Sequence, residues 1–381
     1  MSLTKRVLYF SRDLTTHDFR FLTSLANTAL DVYYLRLEKQ NTSLQENSLP
    51  EKVKILPGLT DDLNNGSENF SLLVDQLREI IHQVNPDILH AGPIQSCGFL
   101  SALTGFSPLI TMSWGSDILV DSEKDFLWRW VTDYTLNKTS VLLGDCQAVK
   151  MKAIQFGFSE NRIVLFPWGI DLRQYQPGKN LQFRERLGWA DKFVLLSNRS
   201  WERLYGVEII AKAFVAAAKS KTDLRLILLG SGSQKKEITK IFEEAGMIDR
   251  VHFGGVVAQK NLPDYLHAAD LYLSASFSDG SSVSLMEALA CGLPVLVSDI
   301  PGNQEWIDQD QNGWIFQTGN VENLKNSILE IYKTQYKLPI ISQEARKTAE
   351  KKANWEDNFQ KLLFAYQLVL GSDLTFGEQS D

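Results

Sequence analysis

The sequence predicts an α/β protein made of two Rossmann-like domains in tandem, each a parallel sheet wrapped by helices. Three observations lead there. Short β-rich apolar runs alternate with helix-period segments twice over, in residues 1–173 and again in 174–354. Between the two series lies the polar stretch Gln174 to Asn180, which holds Pro177 and Gly178 and reads as a linker. The 381 residues, 44% of them hydrophobic, are enough for two cores of ordinary size.

In the first series the β-rich runs are Arg6 to Phe10, Asp31 to Leu37, Ile88 to His90, Leu109 to Trp114, Val141 to Leu143 and Ile163 to Phe166. Ser71 to Val84 sets Leu73, Leu77, Ile80, Ile81 and Val84 on one helical stripe, and Pro86 stops it. Gln40 to Gly66 is polar and reads as a variable loop. Phe126, Trp128, Trp130 and Tyr134 crowd one expected helix, where residues two apart point to different sides, so they do not all enter one core face. An aromatic acceptor edge or a lipid-facing edge is the alternative use for those left outside.

The second series runs through Phe193 to Leu196, Leu224 to Leu229, Val251 to Phe253, Leu271 to Ser274 and Pro294 to Val297. A closing helix is expected over Trp355 to Leu370, with Phe359, Leu362, Leu363, Tyr366 and Leu370 apolar, and a frayed tail over 371–381.

A net charge of −7 gives no general attraction to nucleic acid and leaves at most peripheral membrane contact. After Lys5 and Arg6 the apolar run Val7 to Phe10 is too short for a signal core or a membrane span, so a cytoplasmic protein is expected. Three unclustered cysteines read as reduced thiols rather than a disulfide framework or a zinc site.

In open parallel sheets ligands sit beyond the carboxyl ends of the strands, and two such domains facing across a cleft suit a nucleotide diphosphate. The densest signal, Ser274 to Trp306, supplies a strand, the loop Asp279-Gly280-Ser281-Ser282, and a helix that opens at Val283 and carries Glu287. Amides at such a helix start hold phosphate oxygens, and a carboxylate two turns in accepts ribose hydroxyls. Locally, Ser284-x-x-Glu287 also fits a capping box and Asp279-Gly280 a plain turn. Arg199 and Arg203 follow one strand, either at the ligand or as surface arginines, and Gly230 and Gly232 follow the next, either at the ligand or as a tight turn. In the first series Arg12, Thr15, Thr16 and His17 form either a phosphate or acceptor loop or a helix start capped by Thr16. His90, before Gly92-Pro93, either faces an acceptor or is a core histidine.

Asp279 to Glu287, with Ala288-Leu289-Ala290-Cys291-Gly292-Leu293-Pro294-Val295 behind them, resemble the Glu-x7-Glu motif and the Ala-x-x-Cys-Gly-x-Pro-Val segment of the retaining GT-B glycosyltransferases of family 4. The resemblance implies the GT-B fold, with two Rossmann-like domains facing across a cleft and the last helix crossing back to the first domain. It implies a nucleotide-sugar donor, with Asp279 at the sugar and Glu287 at the ribose. Asp279 stands where the family has Glu, a carboxylate shorter by one methylene. Arg199 matches the Arg of the family's Gly-Arg-Leu-x-x-x-Lys-Gly segment, which neutralises the diphosphate, while its Lys is absent and Arg203 is the nearest basic residue. Gly230 and Gly232 resemble the donor-site Gly-x-Gly, and the backbone near Val256 the nucleobase side. Trp114-Gly115-Ser116-Asp117 resembles the His-Gly-Thr-Asp segment beside the sugar, with Trp for His. Asp308-Gln309-Asp310 has metal-motif spacing but lies in a polar turn before Gly313, away from the donor-site motifs, so no metal or cofactor is expected. The implied acceptor is a glycan, a lipid or a small molecule. The rivals are a nucleotide-sugar epimerase and a silent nucleotide-sugar or glycan binding protein.

Overall fold

The computed structural model describes residues 4–38, 48–60 and 70–371. The chain divides into two compact units, Met1–Phe166 with Asp357–Asp381, and Pro167–Glu356. Parts of the expected 40–66 loop and the expected tail lie outside the described residues.

The first unit holds β1 (Arg6–Ser11), β2 (Asp31–Arg36), β3 (Val53–Ile55), β4 (Ile88–Gly92), β5 (Leu109–Met112), β6 (Val141–Gly144) and β7 (Ile163–Leu165). All pair in parallel, in the order β3-β2-β1-β4-β5-β6-β7. Side chains alternate between the two faces of β1. Leu8 and Phe10 cluster with Leu73 and Leu77 of the helix Phe70–Val84. Tyr9 turns to the other face, toward Phe21 of the helix Thr16–Ala26 and toward His90. Tyr366, from the closing helix Trp355–Leu370, covers His90 on that face.

The second unit holds β8 (Phe193–Ser197), β9 (Leu224–Leu229), β10 (Val251–Gly255), β11 (Leu271–Ser274), β12 (Val295–Ser298) and β13 (Trp314–Phe316), parallel in the order β10-β9-β8-β11-β12-β13. Leu195, Leu226 and Leu273 meet Ile210 and Phe214 of the helix Val207–Ala218 and Leu324 and Ile328 of Val321–Lys333. On the opposite face Val194, Leu196 and Val297 meet Leu285 and Leu289 of the helix Val283–Ala290 and Ala345 and Ala349 of Leu338–Lys352. Each such large side chain, fully buried, contributes about 1.5–3 kcal/mol. Strand order reverses between β8 and β11, so the loops leaving their carboxyl ends run to opposite faces and leave a crevice between them.

Gln174 to Asn180, read from sequence as a linker, falls within the second unit; Tyr175 is only 1% exposed, while Gln174 and Gln176 to Lys179 are exposed. Of the crowded aromatics, Phe126 is 84% and Trp130 45% exposed, while Trp128 and Tyr134 are half-buried. Among the described residues no helix is long and apolar enough to cross a membrane.

Candidate functional site

In the second unit the loops after β8 and β11 bring together residues far apart in the chain. Arg199 follows the end of β8; Asp279, Ser282 and Ser284 follow β11. The Arg199 Nη1 donates to Ser282 Oγ at 2.8 Å and Ser284 Oγ at 2.6 Å, and its Nη2 to Asp279 Oδ2 at 2.6 Å. The guanidinium also lies 4.3 Å from the centre of the Tyr205 ring. Burial is the largest influence and works against its charge, but the Asp279 carboxylate together with the Tyr272 and Tyr205 hydroxyls holds the Arg199 pKa above the usual arginine value. A rigid planar fork with ordered partners is the group best suited to take two phosphate oxygens at once.

The loop Gly280-Ser281-Ser282 is buried and leads into Val283, the first residue of the helix. Ser282 is the N-cap, with its hydroxyl accepting from the Leu285 amide. The Ser284-x-x-Glu287 capping-box reading is therefore corrected, because the cap lies two residues earlier and Glu287 turns elsewhere. Glu287 is 2% exposed, with Oε1 accepting from the Tyr175 hydroxyl at 3.0 Å and Oε2 from the Asn198 amide at 3.4 Å. Neither Tyr175 nor Asn198 was singled out from sequence. Asn198 directly precedes Arg199 in the chain, whereas Tyr175 carries no local signal.

Gly230 and Gly232 pack on the backbone of Arg199 to Trp201. A Cβ at Gly230 would stand 2.6 Å from the Arg199 carbonyl oxygen, and one at Gly232 2.6 Å from that of Trp201. Gly230 has φ +94, and its amide donates to the Gly255 carbonyl at 2.6 Å, which joins this loop to the turn before the exposed Val256. These glycines thus set where Arg199 sits. Arg203 is not gathered in. It is exposed on the turn Arg203–Tyr205, and the charge it acts on is Glu208.

In the first unit the expected acceptor-side residues separate. Arg12 is exposed and ion-paired with Glu38 at 2.7 Å. Thr15, not Thr16, caps the helix Thr16–Ala26, in a capping box with Asp18. His17 and Trp114 do meet, with ring centres 5.4 Å apart, and burial followed by the Arg20 charge lowers the His17 pKa to about 3. Of the two readings of His90, the structure shows the core residue. It is fully buried between Tyr9 and Tyr366, its Nδ1 2.8 Å from the Tyr366 hydroxyl, and no acceptor reaches it there. Asp117 is turned inward. It is 4% exposed, with Oδ1 accepting from the Ser113 hydroxyl and the Trp114 and Ile118 amides and Oδ2 from the Ile94 amide, so it shapes the loop that presents Trp114.

Asp310 has φ +63 and accepts from Trp314 Nε1 at 2.7 Å, within a turn before β13. Among the described residues no three His, Cys, Asp or Glu are grouped to hold a metal ion.

Two parallel-sheet Rossmann-like units, one with an arginine and carboxylates at its strand-order reversal, define the GT-B class of fold. Residues 180–353 match the glycosyl transferases group 1 family, and residues 6–145 the glycosyl transferase 4-like family. Each half of the chain thus matches a glycosyltransferase family model. A D-inositol 3-phosphate glycosyltransferase of Paenarthrobacter aurescens is 27% identical over 46% of this chain, a match that spans only 45% of that relative's length. The N-acetyl-alpha-D-glucosaminyl L-malate synthase of Bacillus anthracis is 22% identical over 79% of this chain and 80% of its own. In structure the chain is similar to Anabaena HepE in complex with UDP and glucose, with TM-score 0.81, 20% identity, and 95% and 99% of the two chains covered.

Proposed function

We propose that this protein transfers a sugar from a UDP-sugar to an acceptor hydroxyl, without a metal and with retention of anomeric configuration. The observation that carries the reading is the convergence of the Arg199 fork, the capped helix start at Ser282 and the buried Glu287 at the strand-order reversal of one sheet. UDP is chosen because HepE is described with UDP-glucose and the pneumococcal O-GlcNAc transferase GtfA with UDP and GlcNAc.

In this reading Arg199 and the amides at Ser282 and Val283 take the diphosphate oxygens. As the bond from sugar C1 to the phosphate oxygen breaks, the electron pair leaves on the diphosphate, where preorganised positive groups stabilise it. Glu287 accepts the ribose hydroxyls, and Asp279, relieved of Arg199 once phosphate takes the guanidinium, turns to the donor sugar. The acceptor oxygen enters on the same face as the leaving group, and its proton departs toward that group. The acceptor is a sugar hydroxyl, as in assembly of a polysaccharide or glycolipid, and the reaction takes place in the cytoplasm.

A silent nucleotide-sugar binder is the second reading, favoured by one observation, the ion pair that already occupies both Arg199 and Asp279. Incubation with UDP-, GDP-, ADP-, CMP- and TDP-sugars in EDTA, reading nucleotide release and thermal stabilisation together, separates the two. Release from UDP-sugars is the expected result. Stabilisation without release, with glycan acceptors present, supports the silent binder, and no response to any nucleotide sinks the donor site.

A further inference from the structure

The Tyr175 hydroxyl stands between two side chains, Glu287 Oε1 at 3.0 Å and the Gln259 amide group. A phenol carries one proton and cannot donate to two acceptor oxygens together. Amide oxygen and nitrogen are assigned from the surrounding network. With the Gln259 amide turned over, its NH2 donates to the tyrosine oxygen and the tyrosine proton goes to the carboxylate, and every group in the chain is matched. Tyr175 is itself anchored: Arg346 Nη1 donates to its carbonyl at 2.6 Å and to that of Ala290 at 2.8 Å, tying the tyrosine to the end of the Glu287 helix. Gln259 lies three residues beyond Val256, on the turn Gln259–Asn261 after β10, and its carbonyl accepts from Gln174 at 2.8 Å.

We propose that Tyr175 and Gln259 are positioning residues that aim Glu287 at the ribose diol and couple that aim to the segment beside the nucleobase, which makes this pair a determinant of ribonucleotide preference. The proposal rests on Glu287 as the ribose contact. One carboxylate oxygen is held by Tyr175 and the other by Asn198, so the plane of the carboxylate is fixed. Without the phenol the carboxylate still binds a diol, but in more than one orientation, and a missing 2′-hydroxyl is felt less.

The test measures the Kd of UDP and of 2′-deoxy-UDP for the full chain and for Tyr175→Phe, Gln259→Leu and Glu287→Gln. Tyr175→Phe keeps the ring and removes one hydroxyl. It is expected to weaken UDP about five- to tenfold while 2′-deoxy-UDP changes little, so the ratio between the two shrinks. Gln259→Leu is expected to shift the ratio the same way by a smaller factor. The double variant Tyr175→Phe/Glu287→Gln is expected to be no worse than Glu287→Gln alone. If Glu287→Gln loses discrimination while Tyr175→Phe and Gln259→Leu keep the wild-type ratio, the positioning role is overturned and the donor-site reading stands. If Glu287→Gln itself binds both nucleotides as the wild type does, the ribose reading has failed, and this inference with it. An equal loss for both nucleotides in Tyr175→Phe marks a merely structural tyrosine and also overturns the proposal.

Discussion

Arg199 holds three side-chain oxygens with two of its nitrogens, an arrangement a point-like ammonium cannot copy. Arg199→Lys should fold, with Asp279 still paired, but bind UDP at least about tenfold more weakly by calorimetry, since the fork is lost. In the other unit Asp18 is fully buried, and burial lifts its pKa from 3.8 to about 6, against the hydrogen bonds from Thr15 and Tyr9. The folded state therefore keeps a proton that the unfolded chain gives up sooner. Its contribution is fully present below pH 4 and is lost as pH rises through 6, on the order of 3 kcal/mol from a shift of about two pH units. Asp18→Asn should flatten denaturation midpoints between pH 4 and 6; an unchanged slope would assign it to another group. Asp279, Arg199 and Glu287 were legible in the sequence because each sits in a short segment with its own strand, loop or helix signal. Tyr175 was not, because its contact with Glu287 spans 112 positions and its neighbours are polar. His90 stayed open between two readings, and the burial of Asp117 went unread, for a related reason: a strand end and a Gly-containing loop look the same whether the side chain turns to solvent or to the core.

At the scale of elements, central strands were easy to read because strands buried on both faces carry long apolar runs. The strands missed, Val53–Ile55 and Trp314–Phe316, are three residues each and lie at the sheet edges, too short to show a period. The helix caps were misjudged by one and two residues, because several neighbouring hydroxyls offer a cap and only backbone geometry chooses among them. The Asp279-Gly280 turn depends on a neighbour that motif reading passed over. A Cβ on Gly302 would stand 2.3 Å from the Gly280 carbonyl oxygen and 2.7 Å from that of Asp279. Because backbone cannot step aside as a side chain can, Gly302→Ala should cost about 1–3 kcal/mol and move the turn. Thermal unfolding and UDP titration are expected to worsen together, whereas a stable variant with normal UDP affinity would show that the turn tolerates displacement.

Over the whole molecule, two parallel-sheet units were foreseen from the doubled alternation, but their shared strand order and what the closing helix covers needed the structure. Tyr366 caps the buried His90, whose pKa burial lowers to about 3, so the imidazole is neutral and its Nδ1 is free to accept. Tyr366→Phe leaves that nitrogen unpaired in the core and should cost about 1–3 kcal/mol. Hydrogen exchange should quicken in β1, β4 and the closing helix while the second sheet stays protected; equal protection in both variants would mean the pair adds nothing.

That one contact also sets an order of events during synthesis. His90 and Tyr366 are 276 residues apart, and the whole second unit is an uninterrupted stretch between them. At about 5–20 residues per second, a ribosome takes roughly 15 to 55 seconds to travel from one to the other. The nascent chain therefore finishes its middle before its beginning, and the imidazole side of the first sheet waits for its cover until the helix that carries Tyr366 has been made.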